Sequence, residues 1–168
     1  ERYEILEIIG GGGVGVVYSA RRVKLERTVA VKVLHESLVN DAGFVGRFQR
    51  EAVAMSRLHH PHCLAVIDFG VYETRPYLVL EYVPGESILE HVRRTSPGLD
   101  SLLGLVLQTA DGLSAAHRRG IVHRDIKSAN LLMAANQSVK VADFGLARVL
   151  VGGDLAATQT IGSPLYMA

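Results

Sequence analysis

His123-Arg124-Asp125-Ile126-Lys127-Ser128-Ala129-Asn130 packs an acid, two cations, a histidine and an amide into eight residues. A structural loop rarely needs that density of function. Thirteen residues after Asn130 comes Asp143-Phe144-Gly145, behind the strand-like Val139-Lys140-Val141-Ala142. One carboxylate and one amide, separated by a hairpin, can converge as oxygen ligands on Mg²⁺.

Upstream, two features answer that loop. Lys32 stands mid-strand in Val29-Ala30-Val31-Lys32, with Ala30 and Leu34 at two-residue spacing, so its ammonium is expected to project from an apolar face. The stretch 41–58 has helical spacing: Phe44, Phe48, Met55 and Leu58 share one face, and Glu51 falls on it. A carboxylate on an apolar face is costly unless paired, and Lys32 is the cation it calls for. Gly10-Gly11-Gly12-Gly13-Val14-Gly15-Val16-Val17 contains G-x-G-x-x-G-x-V. A Walker-type loop would need Lys-Ser/Thr after the last glycine, and Val16-Val17 stands there instead. A dinucleotide fingerprint would run into a helix, whereas Val14, Val16 and Tyr18 alternate like a strand. What survives is a glycine turn between antiparallel strands, with bare N–H groups for phosphates, or a flexible hairpin tip.

The remaining pattern divides the chain. Strands are expected at Tyr3–Ile9, interrupted by Gly10–Gly13, then at Thr28–Leu34, Cys63–Tyr72 and Tyr77–Tyr82. After Pro84-Gly85 the character turns helical, with Glu86–Arg94 and then Leu99 to His117, where apolar residues recur at three and four. Asp100 or Ser101 is the expected N-cap and Gly120 the stop. Short strands follow at Ile121-Val122, Leu131-Leu132 and Val139–Val141.

Composition bounds the function classes. The 168 residues carry 18 Lys+Arg against 17 Asp+Glu, a net charge of +1, which removes the electrostatic case for a nucleic-acid binder. With 48% hydrophobic and 21% charged residues, a packed core is expected. The single cysteine, Cys63, excludes an internal disulfide and a multi-cysteine zinc site and fits a reducing compartment. No apolar run approaches the ~20 residues of a membrane helix, and Glu1-Arg2-Tyr3-Glu4 does not resemble a signal peptide.

In order and spacing, the glycine loop, V-A-V-K, helix Glu, H-R-D-I-K-x-x-N and D-F-G make this chain resemble the eukaryotic-type Ser/Thr protein kinases, with a bacterial character around Tyr77–Gly85. The resemblance implies an α+β, bilobal protein-kinase-like fold. A five-stranded antiparallel N-lobe with one helix would occupy 1–83, and an incomplete helical C-lobe 84–168. It implies ATP and Mg²⁺ as cofactors and a protein Ser/Thr hydroxyl as acceptor. Gly10, Gly12 and Gly15 would cover the phosphates, with Val17 and Ala30 above the adenine and Leu132 below. Glu81 and Val83 would offer it backbone groups, with Leu80 as gatekeeper. Lys32 would hold the α- and β-phosphates, oriented by Glu51. Asp125 would accept the substrate proton, Lys127 would neutralise the γ-phosphate, and Asn130 and Asp143 would hold the metal. Arg124 would grip an autophosphorylated Thr158 or Thr160, while Ser163 would shape the substrate loop. The chain stops at Tyr166-Met167-Ala168, where the family continues with Pro-Glu and several helices. An uncovered apolar face on Leu102–Leu113, open to self-association, is therefore expected. The setting implied is cytoplasmic, or the cytosolic part of a membrane-anchored protein, with no membrane segment and no nucleic-acid partner. A non-catalytic nucleotide-binding scaffold and a small-molecule phosphotransferase are the other classes to weigh. Two motifs are read as structure: a second D-F-G, Asp68-Phe69-Gly70, as strand and turn, and His59-His60-Pro61-His62 as a turn rather than a metal site.

Overall fold

The computed structural model describes residues 2–39 and 43–144. Two compact units emerge: Glu1–Ser56 with Ala65–Tyr82, and Arg57–Leu64 with Val83–Ala168.

The first unit is a five-stranded antiparallel sheet in the order β1-β2-β3-β5-β4. Its strands are β1 (Tyr3–Gly12), β2 (Gly15–Arg22), β3 (Arg27–Leu34), β4 (Val66–Tyr72) and β5 (Arg75–Glu81). The glycine run does not end β1: the ladder continues through Gly10↔Val17, Gly11↔Val16 and Gly12↔Gly15. Pairing uses only backbone groups, and a register irregularity between Ile8 and Gly10 absorbs the mismatch. Central β3 is rich in β-branched residues, and Val29, Ala30, Val31, Lys32 and Leu34 are all buried. Ala20, Val29, Val31 and Val79 form a core that Tyr3, Val33 and Tyr77 close. Helix α1 (Phe44–Ser56) buries Phe44, Phe48, Ala52 and Met55; residues 40–42, where its start was expected, lie outside the described chain.

Asp68-Phe69-Gly70 is indeed part of a strand, β4. Asp68 accepts a hydrogen bond from the Tyr3 hydroxyl (2.8 Å) and an ion pair from Arg2 (2.8 Å). Burial, together with that carboxylate, pushes the Tyr3 phenol up to about 12. Gly70 faces Tyr77 across the ladder, and a Cβ there would come within 2.7 Å of the Tyr77 hydroxyl.

The second unit holds α2 (Ile88–Thr95), α3 (Leu99–His117) and the antiparallel hairpin β6 (Leu131–Met133) and β7 (Val139–Val141). Cys63 and Leu64 belong here rather than to β4. Cys63 bridges Val141, and the Leu64 N–H donates to the Val141 carbonyl (2.9 Å). Helix α2 starts at Ile88, two residues later than the periodicity suggests, because Ser87 and Glu90 form a reciprocal capping box. Helix α3 spans the expected residues, but its N-cap is Gly98 and no side chain caps it; Asp100 and Ser101 already lie inside the helix. Gly120 takes the left-handed φ of +72° that ends it. Ile121-Val122 is not a strand: Ile121 donates to Ala116 and is buried.

Gly112, Ala115 and Ala116 form the inner face of α3. A Cβ on Gly112 would lie 2.7 Å from the His62 carbonyl, and the Cys63 thiol donates to the Gly112 carbonyl (3.3 Å). Burial pushes that thiol up to about 11. His62 Nδ1 donates to the Val139 carbonyl (3.1 Å), and His60 lies 3.4 Å from Asp111. His60 and His62 are thus engaged by Asp111 and Val139; among the described residues no group of three metal-ligating side chains occurs. The outer face of α3 exposes Leu99, Leu103, Val106 and Leu107. No described helix is long and apolar enough to cross a membrane.

Candidate active site

In the first unit, register brings four of the residues expected around the nucleotide onto one sheet face. Lys32 pairs with Val17 on β2 and with Leu78 on β5, while Ala30 pairs with Leu80. Residues opposite each other, or two apart along a strand, share a face, so Val17, Ala30, Lys32 and Leu80 share one. Lys32 is only 6% exposed. A buried ammonium needs electrostatic compensation, and Glu51 stands half-buried on α1 between Phe48 and Met55. Gly15 is required sterically, because a Cβ would overlap the Val33 carbonyl. Gly10 and Gly12 lie in the β1–β2 hairpin, whose turn is Gly13-Val14. The Glu81 N–H is donated to the Ala65 carbonyl (2.9 Å), so the carbonyl is the backbone group Glu81 can offer a ligand.

In the second unit, the segment from His123 to Asn130 folds around its own side chains. Arg124 adopts φ +70° and Asp143 φ +63°, conformations that non-glycine residues seldom take and that cluster at functional sites. Buried His123 donates from Nε2 to the Ala142 carbonyl (2.7 Å), and its Nδ1 accepts the Asp125 N–H (3.3 Å). Those two bonds define a neutral imidazole. Burial holds it below the ordinary value of 6.5. Its ring lies 4.8 Å from that of Phe144.

Asp125 is the meeting point of this loop. Lys127 Nζ donates to its Oδ2 at 2.7 Å. Asn130 Nδ2 donates to the Asp125 carbonyl at 2.7 Å and to Oδ2 at 3.2 Å. The Asn130 carbonyl in turn accepts the Ala142 N–H (2.8 Å), tying the loop to the residue before Asp143. Leu132 sits in the β6–β7 hairpin opposite Lys140 and is half-buried, as is Val83. Thr158, Thr160, Ser163 and Gly145 lie outside the described residues.

Three supporting contacts were not foreseen. His123 is a scaffold for Asp125 and Ala142; its place at the head of the H-R-D tripeptide was the available signal. Gln108 Oε1 accepts the Val139 N–H (2.8 Å) and fastens α3 to the hairpin. His35 bonds the glycine turn. Neither Gln108 nor His35 has a sequence signal beyond being polar near an apolar stretch.

The model of the family described as "Protein kinase domain" matches residues 3–168. The chain belongs to that family. It is 40% identical over 176 residues to serine/threonine-protein kinase PknB of Mycolicibacterium smegmatis, covering 100% of this chain and 28% of the relative. It is 38% identical over 169 residues to serine/threonine-protein kinase PrkC of Bacillus subtilis, covering 99% of this chain and 26% of the relative. The chain thus spans under a third of the length of these curated relatives. Among solved structures, the Mycobacterium tuberculosis PknI kinase domain superimposes with a TM-score of 0.76 at 33% identity, over 87% of this chain and 59% of that one. The fold is that of the protein kinases.

Proposed function

We propose that this chain carries out ATP-dependent transfer of a phosphoryl group to Ser or Thr hydroxyls of proteins. The observation that carries this reading is the Asp125–Lys127–Asn130 cluster. A carboxylate that must receive a proton is held by an ammonium at 2.7 Å and an amide at 3.2 Å, on a loop whose backbone is itself locked. The Asp125 carboxylate is the group placed to act as base.

The residues fit Mg·ATP. The Asn130 amide nitrogen is committed to Asp125, so Oδ1 is the atom it presents, and Asp143 adds a carboxylate. Two oxygen donors of this kind suit a hard divalent cation such as Mg²⁺. When bound, the metal ion neutralises charge on the phosphates. The protein's own residues do the rest. Gly10, Gly12 and Gly15 offer a backbone that can approach phosphates closely. Lys32 supplies a positive charge to them and Glu51 orients it. Val17, Ala30 and Leu132 provide apolar contact for the base, while Glu81 and Val83 provide backbone hydrogen bonds. Asp125 orients the acceptor hydroxyl and takes its proton, and Lys127 answers the charge that develops on the transferred group.

Regulation follows from the same loop. Arg124 is exposed and held at positive φ, ready to pair with a phosphothreonine of about −1.5 to −2 charge at position 158 or 160. The reading places the chain in the cytosol, where ATP is available.

Incubation with Mg·ATP and a degenerate Ser/Thr peptide mixture tests the proposal. Acid-stable, alkali-labile phosphate in the peptides supports it. Nucleotide binding without transfer would make the chain a scaffold, and labelling of small metabolites alone would make it a small-molecule phosphotransferase.

A further inference from the structure

We infer that His35 is a positioning residue that holds the glycine hairpin in its phosphate-binding form. This rests on the kinase reading and deepens it. His35 directly follows β3, whose last residue, Leu34, pairs with Gly15. From there it reaches both sides of the hairpin turn. Its backbone N–H donates to the Val14 carbonyl (3.1 Å), and its ring Nε2 donates to the Gly12 carbonyl (3.0 Å). The two accepting carbonyls lie within the Gly12–Gly15 turn.

The consequence follows from peptide geometry. All peptide bonds in the described chain are trans, and in a trans peptide the C=O and N–H point in opposite directions. Drawing the Gly12 carbonyl toward the imidazole therefore turns the Gly13 N–H away from it. Drawing the Val14 carbonyl toward the His35 backbone does the same for the Gly15 N–H. A run of four glycines has little conformational preference of its own. The clamp supplies the preference that the sequence of the turn lacks.

The two bonds are not equivalent. Any residue but proline at position 35 keeps the backbone bond, whereas the ring bond belongs to the histidine side chain. The half-buried ring lines a shallow cavity of about 230 Å³ with Val16, Tyr18, Val33 and Leu34. The ring bond can thus open and close without unpacking the sheet.

The test separates the ring bond from the rest of the fold. His35→Ala deletes it, His35→Phe keeps the bulk without the donor, and His35→Gln restores an N–H of similar reach. In the nucleotide-free protein, amide exchange across residues 10–15 is expected to rise by about two- to tenfold in the Ala and Phe variants, the range one neutral hydrogen bond supports. β3 and β5 should stay protected. The Kd for a fluorescent Mg·ATP analogue and the KM for ATP should rise by a similar factor with kcat unchanged, and His35→Gln should return both toward wild type. Unchanged exchange and Kd in the Ala and Phe variants, or no recovery with Gln, would overturn the clamp while leaving the kinase reading intact. A wild-type protein that does not bind Mg·ATP would overturn both.

Discussion

Asp125 draws its proposed role from its bonds: its carboxylate accepts from the Lys127 ammonium and the Asn130 amide, and its own backbone N–H donates to His123. Asp125→Asn keeps the shape and removes the base, so turnover should fall by about 10²–10⁴-fold, with the ATP Kd near wild type; steady-state and binding assays on both proteins check this. His123 offers a second prediction, about pH. Its folded value is depressed by burial below the ordinary 6.5, so the unfolded chain takes up a proton that the folded chain refuses. The resulting stability is complete above about pH 6.5 and is lost as pH falls through that value toward the lower folded one. Melting temperatures of wild type and His123→Asn should therefore lie furthest apart at neutral pH and converge on acidification. Types and order of these residues were legible in the sequence. That Asn130 spends its amide nitrogen on Asp125 was not, because several orientations satisfy the same spacing.

At the level of elements, local pattern succeeded where local forces decide. The body and C-terminal end of α3 are readable because its apolar period of 3.6 and the stop at Gly120 are intrinsic to the segment, whereas its start at Gly98 carries no side-chain cap to read. Cys63-Leu64 looked like the start of β4, yet hydrogen bonds to Val141 take it elsewhere. A β-like dipeptide carries no mark of which partner will win. Helix α2 starts later than its periodicity suggests, and Ser87-x-x-Glu90 is the local signal that marks the true start. Two glycines of α3 give opposed predictions. A Cβ on Gly104 meets nothing, so Gly104→Ala should stabilise the protein by up to about 1 kcal/mol. A Cβ on Gly112 would press against the His62 carbonyl, so Gly112→Ala should destabilise it by about 1–3 kcal/mol. Chemical denaturation of the two variants measures both signs.

Across the whole molecule, each unit gathers a separate share of the proposed chemistry. The first presents Lys32, Val17, Ala30 and a clamped glycine hairpin on its sheet; the second presents Asp125, Lys127, Asn130 and Asp143 on loops locked by His123. The order of the motifs along the chain already separates residues 10–51 from residues 125–143, and the two groups fall in different units. The supporting contacts of His35 and Gln108 were not legible, because each spans a sequence distance at which one polar residue carries no pattern. Phosphoryl transfer from Mg·[γ-³²P]ATP to Ser/Thr peptides, compared between wild type and Asp125→Asn with nucleotide binding measured alongside, tests the central claim most directly. The account predicts labelling by the wild type, at least about 10²-fold less by the variant, and equal nucleotide affinity. Equal labelling rates, or a wild type that binds Mg·ATP and transfers nothing, would contradict it.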